Sequence, residues 1–292
     1  MFRYNKIQLL NKYFHKTQQH VVLNTCVNVI ASSSSINYNK QYFVSPYYCQ
    51  PHTKYFFSTR RIIKTTGLQR LLLATNSAIG ALRDPTRADL IATLGETTGK
   101  LQLQKMYTQM NENETGKLIL KNKPRVNQEN IDVKQLLDLN VNTFGYKYGK
   151  FLEIHGFDPD DRPQVKYIND DNLAYVITRY REIHDFAHVI LELPPNVCGE
   201  IALKWFEMGQ TNLPMTTLSA LFGPLRVRDA KEKHFIRQYI LWSTANAKKS
   251  KLLINIYFEE LFEHDLKELQ YDILGKNGMD SMPKYKSMVS SL

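Results

Sequence analysis

Beyond Gly67, apolar residues recur three and four positions apart in one segment after another, and that spacing restricts the chain to helices packed on helices. Leu68, Leu71, Leu72, Ile79 and Leu82 form the first stripe, which could line an apolar slot or contact a bilayer, although stripes of this kind are most often core. The longest runs through Leu173, Val176, Ile177, Tyr180, Ile183, Ala187 and Ile190, with Asp170 or Asp171 as cap and Pro194-Pro195 as stop. Asp84-Pro85 ends the first helix and starts a second, since Asp can cap a helix whose first position tolerates Pro; that helix runs to Leu94 and closes at Gly95. Further helices are expected at 99–110, at 132–139, at 143–155 before Gly156, and at 197–209. Two long amphipathic helices, 226–249 and 252–271, complete the chain, the second carrying Ile254, Tyr257, Phe258, Leu261 and Phe262. Alternation sustained enough for a sheet is missing, with Lys117–Lys121 the one tempting run. No internal repeat or low-complexity linker divides residues 67–292, so the expectation is a single all-α domain.

The charge is unevenly placed. Residues 1–83 hold eleven Lys and Arg and no acid; the first is Asp84. The rest of the chain is then balanced, with 27 basic and 28 acidic side chains, so the net +10 argues for no nucleic-acid partner. An acid-free, basic leader bearing Ser and Asn, without a compact apolar core, has the composition of a mitochondrial transit peptide. Residues 1–66 are assigned to such a disordered presequence, processed between Phe57 and Thr66 near Arg60-Arg61. Cys26 and Cys49 fall within it, and the remaining Cys198 alone can form no intramolecular disulfide, which suits a reducing compartment. No run of about 18 apolar residues is present to cross a membrane.

Chemistry concentrates in His184-Asp185-Phe186-Ala187-His188, inside the strongest helical pattern. Two His four apart leave one helix face a turn apart, the geometry that grips a divalent ion. Asp185, rotated about 100° from His184, can reach the same ion from the flank or hold a ligand or water beside it. Glu200 follows twelve positions after His188, beyond the Pro194-Pro195 break; an antiparallel return would bring it beside both imidazoles. Such N and O ligands suit zinc or another first-row divalent ion better than an iron–sulfur cluster or copper(I). A zincin would need His-Glu-x-x-His, and Gly95-Glu-Thr-Thr-Gly99-Lys100-Leu101 has the wrong spacing for a phosphate loop.

The run His-Asp-x-x-His, eleven residues, then Glu resembles the metal signature of the mitochondrial ubiquinone (coenzyme Q) biosynthesis family associated with C1 decarboxylation and with assembly of the biosynthetic complex. Arg83-Asp84-Pro85-Thr86-Arg87-Ala88-Asp89-Leu90 and Leu94-Gly95-Glu96-Thr97-Thr98-Gly99 match that family's N-terminal segment, and the likeness extends over about 67–274. The resemblance implies an all-helical peripheral protein on the matrix side of the inner membrane. His184, Asp185, His188 and Glu200 would be ligands of zinc, with cobalt or iron also acceptable to the set. The implied activity is that of a carbon–carbon lyase, decarboxylating 4-hydroxy-3-methoxy-5-polyprenylbenzoate. Implied partners are that prenylated benzoate, the other biosynthetic enzymes, the membrane surface and a second copy in a homodimer.

Loss of CO2 from an aromatic carbon requires that C1 first be protonated, which a para hydroxyl promotes by pushing electrons into the ring. An oxidative variant would need a redox metal or another oxidant. Two competing readings are a non-catalytic lipid-binding scaffold and a metal phosphohydrolase, the latter nominating His155 with Asp265 or Asp272 as extra ligands.

Overall fold

Thr66 begins the helical body: its hydroxyl accepts from the Gln69 amide while the Gln69 side chain accepts from the Thr66 amide, a reciprocal cap. The computed structural model describes residues 61–84 and 87–285, all within one compact unit. The transit-peptide assignment, Pro85 and Thr86 lie outside the described residues, apart from 61–66 at the leader's end. Twelve α-helices follow in chain order among those described: α1 Gly67–Arg83, α2 Ala88–Thr98, α3 Lys100–Glu112, α4 Glu114–Asn122, α5 Val133–Leu137, α6 Phe144–His155, α7 Asp171–Glu182, α8 His184–Ile190, α9 Val197–Thr211, α10 Pro214–Phe222, α11 Ala230–Asn246 and α12 Leu266–Asp280. The described residues form no strand, only an isolated antiparallel bridge between Thr143 and Asp265.

Side-chain caps set most starts. Asp132, Thr143, Asp170, Asn196, Asp229 and Asp265 each accept from amides in the first turn that follows them. Gly156 closes α6 in the left-handed region, at φ +64°.

Several expectations are corrected. The second helix begins at Ala88 behind Arg87, not at the Asp84-Pro85 signal, and runs through Gly95 to Gly99. Lys117–Lys121 is helical, because Asn113 caps α4 through the Gly116 amide. The long pattern from Asp170 to Ile190 divides at Ile183 (ψ −3°) into α7 and α8. Helix α10 is not among the expected helices, although Pro214 occupies its first turn, where Pro is favoured. Nor is 226–249 one helix: Gly223–Arg226 is a 3-10 turn and α11 starts only at Ala230.

The expected helix at 252–271 is the largest error. Leu253–Asn255 and Phe258–Glu260 are 3-10 turns, and α12 starts only at Leu266. Arg179 supplies the reason. It is fully buried, pairs with the equally buried Glu259 and donates to the Ile256 carbonyl at 2.8 Å, an oxygen that an α-helix would have kept for its own ladder. Around this pair Phe144, Tyr148, Phe186, Phe258 and Phe262 interlock, with the Tyr148 and Phe186 rings 4.5 Å apart and edge to face.

Helix α1 packs differently from its pattern. Leu68, Leu71, Leu72, Ile79 and Leu82 are exposed, Leu68 by 69%, so they are not core. The contact with α2 is made through small residues. Ser77 is buried, and a side chain at Gly80 would begin 2.5 Å from Leu90 Cδ1. Small residues admit a closer helix, and the stripe faces out.

Candidate metal centre

Helices α8 and α9 meet through a tight reversal. Glu192 takes a left-handed conformation (φ +52°), the Leu193 amide returns to the His188 carbonyl at 2.9 Å, and Asn196 caps α9 through the Gly199 amide. A Cβ on Gly199 would lie 2.0 Å from the Pro194 carbonyl oxygen. Only glycine lets the first turn of α9 come this close, and the next residue is Glu200.

Glu200 thereby spans both imidazoles. Its Oε1 lies 3.0 Å from His188 Nε2 and its Oε2 3.4 Å from His184 Nε2, and one ligand atom from each of the three residues falls within 4.8 Å of the others. The two rings are nearly perpendicular, 82°, with centroids 4.9 Å apart. His188 is buried beneath Phe151, whose ring stacks on it at 5.6 Å, while the Glu200 side chain keeps 39% of its surface.

The far side of each ring is committed. His188 Nδ1 lies 3.1 Å from the Leu193 carbonyl, which can only accept, so Nδ1 carries the proton. His184 Nδ1 lies 2.7 Å from Glu207 Oε1. Glu207 is buried and held in turn by the Tyr180 hydroxyl at 2.6 Å and by Lys204 Nζ at 2.8 Å, both donating to Oε2. With Nδ1 of each ring turned to its own acceptor, each Nε2 faces a Glu200 oxygen, an approach that only a cation or a proton on Nε2 makes favourable.

The electrostatics agree. Burial and Lys204 push the His184 imidazole down, but Glu207 and Glu200 outweigh them and hold it at about 9. Burial raises both carboxylates, yet Lys204 and His184 bring Glu207 to about 2, and the two imidazoles bring Glu200 well below the usual range. The site draws positive charge to Nε2 of His184, and the fit to a divalent ion rests on this donor set.

Asp185 stands apart from that group. Its Oδ2 pairs with the Arg162 guanidinium, and both side chains are 18% exposed. It lines the same pocket as His184 and Glu200. The rival nominations do not join the centre: His155 packs on Phe151 and Phe157, Asp265 caps α12, and Asp272 pairs with Lys251. Cys198, two residues before Glu200, is buried and its thiol is pushed up to about 12 by that burial, so it offers no thiolate.

Above the centre lies a pocket of about 620 Å³, with Ala78, Leu82, Ile91, Leu218 and Met215 among its apolar walls and Arg162, Arg181 and Lys204 among its polar ones. The segment Leu94–Gly99 supports it. Glu96 is buried and accepts from the Lys166 and Tyr167 amides at 2.7 and 2.8 Å and from Arg181 at 2.9 Å, tying α2 to the loop before α7. Glu207, Lys204 and Tyr180 were missed in the sequence; the one signal was that Glu207 follows Glu200 by seven positions, two turns on the same helix face.

An all-helical protein with a His-His-Glu centre at the base of an apolar pocket is the class that this fold and site define. The family model for coenzyme Q (ubiquinone) biosynthesis protein Coq4 matches residues 60–275, and the chain belongs to that family. It is 38% identical over 85% of its length to the mitochondrial ubiquinone biosynthesis protein COQ4 homolog of Anopheles gambiae, covering 87% of that protein. The Bos taurus homolog of the same name is 42% identical over 72% of the chain and 80% of its own length. A crystal structure of a Nostoc punctiforme protein assigned to ubiquinone biosynthesis shares the fold, with a TM-score of 0.57 at 16% identity, over 73% of this chain and all of that one.

Proposed function

We propose that this member of the ubiquinone-biosynthesis family is a metal-dependent lyase that removes the C1 carboxylate of 4-hydroxy-3-methoxy-5-polyprenylbenzoate. It works as a peripheral protein on the matrix side of the mitochondrial inner membrane, among the other enzymes of the complex. The observation that carries the metal is the pair of Nε2 atoms turned onto one carboxylate, each ring oriented by an acceptor at Nδ1. His184, His188 and Glu200 would hold the ion, zinc being the first candidate, with Asp185 beside them on Arg162. When bound, a divalent ion supplies Lewis acidity toward an oxygen of the substrate's head.

The chain's own groups account for the rest. The apolar walls receive the polyprenyl tail, and Arg162 and Lys204 offer positive charge to the anionic ring. Lys204 Nζ is held by Glu207 and Tyr180 and lies 3.3 Å from His184 Nδ1; with that nitrogen protonated toward Glu207, the ammonium turns its third proton to the pocket. As the para oxygen pushes electrons into the ring, C1 takes that proton; the bond to the carboxylate then breaks, its electron pair restores the aromatic ring, and CO2 leaves.

The test compares the full chain with His188→Ala, measuring metal by mass spectrometry and product after incubation with a prenylated 4-hydroxybenzoate. Near-stoichiometric metal and CO2 release, both lost in the variant, are expected. Metal without product would favour a scaffold that binds prenylated intermediates; no metal in either protein would sink the centre.

A further inference from the structure

Helix α1 turns its small side chains inward and its large ones out. Residues advance by about 100° per position along a helix, which gathers Leu68, Leu71, Leu72, Ile79 and Leu82 on one face, and all five are exposed. The opposite side carries buried Ser77, and the pocket is lined from α1 by Ala81 on that side, by Ala78 at the edge of the stripe and by Leu82 within it. At the C-terminal end of α1 the Arg226 guanidinium donates to the carbonyls of Ala81 and Leu82, which brings the turn after α10 alongside. That turn exposes Leu221, Phe222 and Leu225, the last by 80%. The pocket is lined from both segments, by Leu82 and by Gly223 and Arg226, so its rim is continuous with the apolar surface.

Charge identifies the occupant. Residues 61–83 and 221–228 contain Arg61, Lys64, Arg70, Arg83, Arg226 and Arg228 and no acidic side chain. A helix with leucines on one face and six cations in these two segments, against the flanking Asp84 and Asp229, complements an anionic bilayer, whose acyl chains take the first and whose headgroups take the second. No described helix is long and apolar enough to cross a membrane.

We propose that α1 and the Leu221–Arg226 segment seat the rim of the pocket on an anionic phospholipid bilayer, so that a lipid-tailed ligand passes from the membrane into the pocket without crossing water. The ligand and the membrane attachment rest on the function proposed above; which residues seat the rim does not.

Because residues 1–60 are basic too, seating is read at chosen positions of the full chain. Leu72→Trp and Leu225→Trp are compared with Leu241→Trp, an exposed position outside the pocket lining, over the background of Trp205 and Trp242. Vesicles are of brominated phosphatidylcholine, with or without phosphatidylglycerol. Emission from positions 72 and 225 is expected to fall about twofold with anionic vesicles alone, and position 241 to be unaffected. Vesicle affinity of Leu68→Ser/Leu71→Ser/Leu72→Ser is expected to fall about tenfold or more, with helix content unchanged. Bound protein without quenching at 72 and 225 would overturn the proposal, as would a lipid-free dimer that the triple variant dissociates, since a second copy would then cover this face. Absence of decarboxylation would leave these readouts intact, so the two proposals fail separately.

Discussion

Each imidazole of the centre is aimed by what lies behind it. Glu207 fixes the His184 ring by accepting at Nδ1, and Lys204 and Tyr180 fix Glu207. Partners of this kind typically contribute 10- to 100-fold in metal affinity. Glu207→Ala is therefore expected to weaken metal binding by about that factor in a chelator competition. Glu207→Gln should lose less, because its amide oxygen still accepts from Nδ1; parent-like affinity in the alanine variant would remove Glu207 from this role. The His pair and Glu200 were legible because helical spacing and one turn define their relation. Glu207 was not, since nothing local says which ring it will meet. Asp185 shows the converse: adjacency placed it on the flank of the pair, and Arg162, twenty-three positions earlier, settled its partner.

At the scale of elements, the reversal between α8 and α9 carries the most constraint. Gly199→Ala inserts a methyl against the Pro194 carbonyl and should cost about 1–3 kcal/mol, measured by urea unfolding, while displacing Glu200 and lowering metal affinity. Stability and affinity unchanged together would show that the turn relaxes freely. The buried Arg179–Glu259 pair holds the 252–262 segment out of a helix. Glu259→Gln leaves Arg179 uncompensated in the core, and a loss of about 3–5 kcal/mol is expected in the same assay. Caps such as Asp170 and Thr143 could be read directly, because a cap is a contact over two or three residues. The 3-10 turns could not, because their carbonyls bond a guanidinium from α7.

For the molecule as a whole, pocket and centre are separable. Ala78→Trp fills the pocket from α1 and leaves His184, His188 and Glu200 themselves unchanged. Binding of a prenylated ligand, followed by calorimetry, should drop at least tenfold with metal content retained. Loss of both would mean that the variant disturbs α8 and α9 instead.

That the chain is helical, where six of the twelve described helices start, and that His184, His188 and Glu200 lie one turn and one reversal apart can all be read from the order of residues. These are local facts, carried by periodicities and caps that span a few residues. Tertiary structure alone decided that the α1 leucines face outward, that 252–262 unwinds onto Arg179, and that Glu207 stands behind His184. The reason is physical: an apolar stripe records which side of a helix avoids water, but not whether another helix, a pocket or a membrane will cover it, and a buried charge takes its partner from wherever packing delivers one.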